Sequence, residues 1–397
     1  MSAGRRQCAA PRTLEIGEER SFIGCRLSAR SPQPAAPRGL LYRAGSVLLL
    51  IAAAGLLMQA CRSSASAPAL RKETRLIMDT YVSISAYGPT AQADKALDLA
   101  FTRLEEINQK FNHLDSTSPV FAFNSRNEPI IDTEVVAVLK AAQEISVASG
   151  GVFDVTVEPL VRLWGFYSGK LAVPAQRDID SCLRFVGYQN LVVEPGRVTK
   201  KNPNTTIDLG GIAKGYALKE AARVLRSSGI DSALIDAGGD VYALGKKVNQ
   251  NWKVGVRNPR AEGIIGIAAV SNLAVVTSGD YERYFFGADS VRYCHIIDAK
   301  TGWPAHTAPM EVQGTKPKGQ SAGMASTTVI MRDPLAAQGW SKVLFVLGPD
   351  AIALGDAAGG FEALLIDDGL KAYMSKGLVG AMKLDLAGTG IEPAAGR

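Results

Sequence analysis

The run D-L-G-G-I-A-K-G-Y-A at 208–217 narrows the folds open to this chain more than any other stretch. It sets a carboxylate, two adjacent glycines and a lysine at the head of a helical pattern. That predicts a tight turn entering a helix at Ile212, which runs to about Ser228 and stops at Gly229. Gly210 and Gly211 let the backbone approach a ligand closely, the first amides of the helix lack intrahelical acceptors, and Lys214 adds a positive charge beside them. A pyrophosphate suits such a mouth. A Gly-Gly turn before a helix is also common as a turn and nothing more, and the run alone does not decide between the two.

Three later turns share this composition: I-D-A-G-G-D at 235–240, T-S-G-D-Y-E-R at 277–283 and H-I-I-D-A-K-T-G at 295–302. Each lies beside an apolar run, and together they predict a composite ligand site. Preceded by F-D-V-T-V-E-P-L-V-R-L-W-G-F at 153–166, these runs resemble, in this order, the ApbE-type FAD:protein FMN transferases. The resemblance extends from about Arg75 to the C-terminus. It implies an α+β fold of two packed lobes, with mixed and antiparallel sheets and flanking helices. It also implies FAD as substrate and transfer of FMN to a Ser or Thr hydroxyl of an acceptor flavoprotein, with release of AMP.

Site residues follow from the same resemblance, beside plainer readings. Asp208 either caps the helix or faces the flavin nucleotide, and Lys214 either pairs on the helix surface or reaches phosphate. Met78, Phe153, Asp154 and Ile297 are implied in the flavin pocket, although a Met beside a strand is often filler. Trp164 is expected in the core, and Phe166 either stacks on the flavin or packs there. Gly238, Gly239 and Asp240 are expected as a hairpin turn that lines the nucleotide site. Thr277, Ser278, Gly279 and Asp280 read as a hydrogen-bonding turn, with Arg283 paired to Asp280 or to a phosphate. His295 is either a structural histidine or an acid-base group, and Asp298 and Thr301 follow it. The family has Pro where this chain has Ala299.

One departure bears on charge. The family's A-D-A-L-S-T-A-L-F-V-L-G pattern meets P-L-A-A-Q-G-W-S-K-V-L-F-V-L-G at 334–348. Gln338 then stands at a metal-binding Asp and Lys342 at a metal-binding Thr, with Gly211 as the third metal position. Magnesium wants hard, preferably anionic, oxygen ligands, and an amide with an ammonium makes a poor site. Either Lys342 neutralises charge itself, as a catalytic residue beside His295 and Asp298, or the chain is an envelope lipoprotein that binds FAD with impaired catalysis. Ser341 or Asp333 can supply an oxygen in a shifted register.

The leader and the bulk charge belong together. Seventeen uncharged residues from Ala44 to Ala60 follow Arg38 and Arg43 and end at Cys61, the pattern of a signal core with a lipoprotein-type cysteine. Residues 1–61 are therefore expected as leader, 62–74 as linker and 75–397 as the folded domain, held at the cell envelope by a lipid on Cys61. Removing the eight Arg and three Glu of residues 1–61 from the totals of 44 basic and 38 acidic residues leaves 36 against 35. The body is near neutral and has no basic stripe interleaved with aromatics, so nucleic acid is not an expected partner. Cys182 and Cys294 are expected as separate thiols, and His113, His295 and His306 make no metal pattern.

Apolar spacing predicts a strand over 75–87, then a helix from Pro89-Thr90 with Ala96, Leu97, Ala100, Leu104, Ile107 and Phe111 inward. A second helix, capped by Asp132, buries Val135, Val136, Leu139, Ala142 and Ile145 and stops at Gly150-Gly151. Short strands are expected at 190–193, 232–235, 241–244, 252–256, 264–270, 291–297 and 326–331, and 303–325 reads as a long loop.

Overall fold

The computed structural model describes residues 68–307, 323–355, 358–378, 382–384 and 386–394. The leader, Cys61 and most of the 303–325 loop lie outside the described residues.

The first strands form a hairpin, β1 (Ala69–Ile77) against β2 (Thr80–Gly88), where one strand over 75–87 was expected. The turn is Met78-Asp79, both at φ 57°, the left-handed pair of a two-residue hairpin loop. Neither residue is Gly or Asn, so the composition carried no turn signal. β1 also begins inside the stretch expected as linker.

Both long helices lie where their periodicity puts them. Thr90–Phe111 buries Ala96, Leu97, Ala100, Leu104, Ile107 and Phe111, and the Asp132 carboxylate accepts from the Glu134 and Val135 amides at the head of Thr133–Ala148. The helix Ala213–Ser227 follows the Gly-Gly turn, and Pro334–Leu347 begins at Asp333, whose carboxylate caps it at Leu335. A small β3 (Leu191–Glu194) and β4 (Arg197–Lys200) pair lies between.

Together, β5 (Ala233–Ala237), β6 (Asp240–Leu244), β9 (Leu273–Gly279), β12 (Met324–Met331), β13 (Glu362–Asp367), β14 (Lys371–Met374) and β16 (Glu392–Pro393) join the first hairpin in one sheet. Its order is β1-β2-β5-β6-β9-β12-β13-β14-β16, antiparallel except for β14 with β16. A second sheet orders β15 (Met382–Leu384), β8 (Ile264–Val270) and β7 (Trp252–Arg257).

Side-chain alternation builds two cores from one sheet. Ala274 and Val276 of β9 join the core shared with the helices, whereas Val275 between them joins the core shared with β7 and β8. Leu365 and Leu364 of β13 divide in the same way, and β12, covered on both faces, is buried at all eight positions. A third core gathers Leu160, Trp164, Ile179, Ile297 and Trp303 beside β10 (Tyr284–Phe286) and β11 (Arg292–Cys294). The class is α+β as expected, and Trp164 is fully buried, its indole N–H donating to the Gly302 carbonyl at 2.9 Å.

Candidate functional site

The ends of β5, β6 and β9 meet the head of the helix Ala213–Ser227 and the middle of Pro334–Leu347, which brings Gln338 to Asp240 and Ser341 to Ser278. Gly238 and Gly239, at φ 64° and 91°, close the expected hairpin between β5 and β6. The Gly238 amide donates to the Tyr81 carbonyl at 3.2 Å, which brings the half-buried Met78 tip to the same end of the sheet.

At the 208–217 turn Gly210 is exposed, so the mouth opens to solvent. The Ile212 and Ala213 amides donate back to the Leu209 carbonyl at 2.9 and 2.7 Å. The Gly215 amide donates to Oε1 of the buried Gln338 at 2.7 Å, so that a side chain from the second helix caps the first. Among the described residues the Gly211 and Lys214 amides find no acceptor, which leaves two N–H donors at the helix mouth.

Asp208 does not cap the helix. Its Oδ1 accepts from the Gly210 amide at 2.7 Å, and its Oδ2 accepts from the Tyr167 hydroxyl at 2.8 Å. Burial, then the charge of Asp208, holds the Tyr167 phenol well above its ordinary pKa, so it stays a donor. His113 packs against Tyr167 with ring centroids 4.5 Å apart and the planes tilted by 52°, and its Nδ1 lies 3.8 Å from the Asp208 carboxylate. Tyr167 and His113 escaped the sequence reading because they are 41 and 95 residues away from Asp208 and belong to no motif.

Lys214 Nζ lies 2.6 Å from Oδ2 of Asp240, which is buried and also accepts from the Gln338 amide at 3.3 Å. The surface-pairing and phosphate readings of Lys214 are thus compatible, since the ammonium has further protons to give. Lys342, four residues after Gln338, bends back to donate to the Gln338 carbonyl at 3.1 Å. Its Cδ and Cε run 3.6 and 3.7 Å from where a Cβ on Gly211 would sit, and the Phe153 ring lies 3.3 Å from that point. A side chain there would touch Lys342 at ordinary contact distance and press slightly on the Phe153 ring.

His295 follows β11 and is half-buried. Its Nδ1 lies 3.2 Å from the Arg283 carbonyl, and since a carbonyl only accepts, Nδ1 carries the proton and Nε2 keeps its lone pair. Desolvation first, then the positive charges of Lys342, Arg283 and Lys214, bring the ring down to about 4 against a backbone hydrogen bond that raises it.

Other expected residues are placed differently. Thr277, Ser278 and Gly279 end the central strand β9 and do not form a turn, because pairing with Thr328, Thr327 and Ser326 of β12 overrides their turn-prone composition. Ser278 and Ser341 share a hydrogen bond at 2.8 Å, as do Thr277 and Thr328 at 2.9 Å. Asp280 pairs with Arg260 at 2.7 Å and Arg292 at 3.3 Å, while Arg283 is exposed and meets His295 through its carbonyl alone. Asp154 is turned inward, accepting from Thr156 and from the Tyr188 amide, and its burial raises its carboxyl pKa. Asp298 accepts from the Lys300 amide and the Thr301 hydroxyl and so shapes its own turn. Ile297 belongs to the third core, and Cys182 and Cys294 are free thiols.

The positions expected to hold magnesium do come together, but their donors do not suit it. The Gln338 oxygen is neutral and already accepts from the Gly215 amide, Lys342 brings a positive charge, and the nearby Asp240 carboxylate is paired with Lys214. Among the described residues no group of three or more His, Cys, Asp or Glu could hold a metal. A cleft of about 1460 Å³, lined by residues such as Leu273, Ile330 and Phe361, contains none of these side chains. Free amides and ammonium groups make the 208–217 mouth the candidate site.

The model of the ApbE family matches residues 78–365. An FAD:protein FMN transferase of Vibrio cholerae is 30% identical over 340 residues, covering 82% of this chain and 96% of the relative. One of Treponema pallidum is 30% identical, covering 78% of this chain and 88% of the relative. The crystal structure of the ApbE protein from Thermotoga maritima superposes with a TM-score of 0.70 at 32% identity, over 79% of this chain and 99% of that one.

Proposed function

The chain belongs to the ApbE family, and we infer that it transfers FMN from FAD to a hydroxyl of a partner flavoprotein at the mouth opened by Asp208. One observation supports the placement: among the described residues the amides of Gly211 and Lys214 find no acceptor, at a turn that the Lys342 side chain lines and beside the Lys214 ammonium. That is an anion cradle built from donors fixed before the ligand arrives.

A Ser or Thr oxygen of the acceptor attacks the flavin-side phosphorus. The bond from that phosphorus to the bridging oxygen breaks, and the bridging oxygen leaves with AMP. The hydroxyl proton passes to Nε2 of His295, which the Arg283 carbonyl has fixed in the right tautomer. Lys214 and the free amides hold the phosphates, and Asp240 and Asp208 orient Lys214 and the turn. The relatives share the name of a transferase, which favours turnover over storage of FAD.

Purified protein mixed with FAD and an acceptor flavoprotein should release AMP and leave FMN on the acceptor, read by mass spectrometry. Return of intact FAD with an unmodified acceptor would overturn the assignment. We further propose that Ala44–Ala60 exports the chain and that Cys61 carries a lipid, which fits the signal pattern. Cys61→Ala should move the protein from the membrane to the soluble envelope fraction.

A further inference from the structure

We propose that the ammonium of Lys342 stands where a divalent cation would, so that this chain splits the FAD pyrophosphate without one. The proposal rests on the transfer reading above and concerns what neutralises charge in that reaction.

Three features of the site support it. First, the Gln338 side chain is committed elsewhere: its oxygen accepts from the Gly215 amide at 2.7 Å and its nitrogen donates to Asp240 at 3.3 Å, so it holds the helix head and offers a neutral, already shared oxygen where a cation wants a carboxylate. Second, Lys342 lies along Gly211 and uses one hydrogen bond, 3.1 Å to the Gln338 carbonyl of its own helix, which leaves two of its three protons for a ligand. Third, the charges balance. A divalent cation held by one carboxylate presents one net positive charge, and a neutral amide with an ammonium presents the same.

Asp240 is paired with Lys214, and Lys342, which makes no ion pair among the described residues, brings a second ammonium to the mouth. In the transfer step, as the phosphorus–bridging oxygen bond breaks, negative charge collects on the oxygen departing with AMP. Lys342 meets that charge with N–H donors already in place. A cation bound at the same point would lie against this ammonium, and the two positive charges would repel.

Manganese, which reports by its electron paramagnetic resonance signal, tests binding directly. Titrated with Mn²⁺ in the presence and absence of FAD, the metal-stripped wild-type chain should leave the free-ion signal undiminished beyond FAD's own effect. The double variant Gln338→Asp/Lys342→Thr should remove it stoichiometrically. In parallel, wild-type protein mixed with FAD and the acceptor flavoprotein should release AMP at the same rate in chelator as in Mg²⁺. Lys342→Met should lose roughly a hundredfold to a thousandfold with FAD still bound, read by quenching of flavin fluorescence. The double variant should release AMP only when Mg²⁺ is added.

Stoichiometric Mn²⁺ binding by the wild type, or AMP release abolished by chelator and restored by Mg²⁺, overturns the proposal while leaving the transferase reading intact. Bound FAD that yields no AMP in either condition also overturns it. Absence of FAD binding in every variant instead overturns the reading on which it rests.

Discussion

At the scale of single residues, His295 and the Lys214–Asp240 pair carry separable consequences. His295 titrates near 4 in the folded protein, below its ordinary 6.5, so the unfolded chain binds more protons between those values. This histidine's contribution to stability is therefore complete above about 6.5 and is lost as pH falls through 4. The imidazole is also neutral, as a base must be, across the physiological range. The acid limb of the AMP-release profile is expected near pH 4, where an unperturbed histidine would place it near 6.5, and His295→Asn is expected to cost ~10²–10⁴ in rate with FAD binding kept. A limb at 6.5 would show that another group takes the proton. For the ion pair, Lys214→Met strands the buried Asp240 carboxylate with, among the described residues, only the Gln338 amide as donor. Urea unfolding should show a loss of about 3 kcal/mol, near the low end for an uncompensated buried charge. Lys214→Met/Asp240→Asn should regain most of that stability and none of the activity, which separates the structural role of the pair from the phosphate contact. Equal losses in the single and double variants would mean that the pair is not what stabilises this corner.

Elements are joined here by glycines that let backbones touch. A Cβ at Gly215 would meet the Pro334 carbonyl oxygen at 2.3 Å and Leu335 Cα at 2.7 Å, both backbone atoms of the second helix. One at Gly339 would meet only the Ile145 Cδ1 tip, at 2.6 Å. A methyl end can rotate aside and a helix backbone cannot, so Gly215→Ala should cost ~1–3 kcal/mol or more in denaturant midpoint, with Gly339→Ala clearly milder. The reverse order would mean that the helices are free to slide apart. Legibility in the sequence follows the same division between local and distant causes. The helices Thr90–Phe111 and Thr133–Ala148 were readable because their burial repeats every three to four residues and Asp132 announces a start. The Met78-Asp79 hairpin was not, since its left-handed turn uses residues that do not advertise one. Strand β9 was read as a turn at Thr277–Asp280 because Thr, Ser, Gly and Asp favour turns locally, while its place between β6 and β12 is a tertiary fact. At the site, Asp208, Gly211, Lys214 and His295 were legible from their motifs. The Tyr167 and His113 partners of Asp208 and the Gln338 cap on Gly215 were not, because each contact joins segments far apart in sequence.

For the molecule as a whole, the sheet acts as the divider that makes a solvent-open site affordable. Its helix face and its β7–β8 face each carry a continuous apolar core, and the converging strand ends can then leave polar groups unpaired at one edge. Arg260, bridging Asp280 and Asp368 at 2.7 and 2.8 Å, ties the small sheet to the ends of β9 and β13 on that same side. A site so preassembled should gain stability when filled, because FAD binds the folded state and not the unfolded chain. At a hundredfold excess over its Kd the ligand contributes ~2.7 kcal/mol, which for a folded unit of this size raises Tm by about 4 °C. His295→Asn is the suitable form for the measurement, since it should hold FAD without consuming it. If Lys342 does supply the positive charge, the rise should be the same in chelator and in Mg²⁺, because nothing that binds the pyrophosphate has been withdrawn. A rise that appears only with Mg²⁺ would place a cation between the protein and its substrate and return Lys342 to a supporting part.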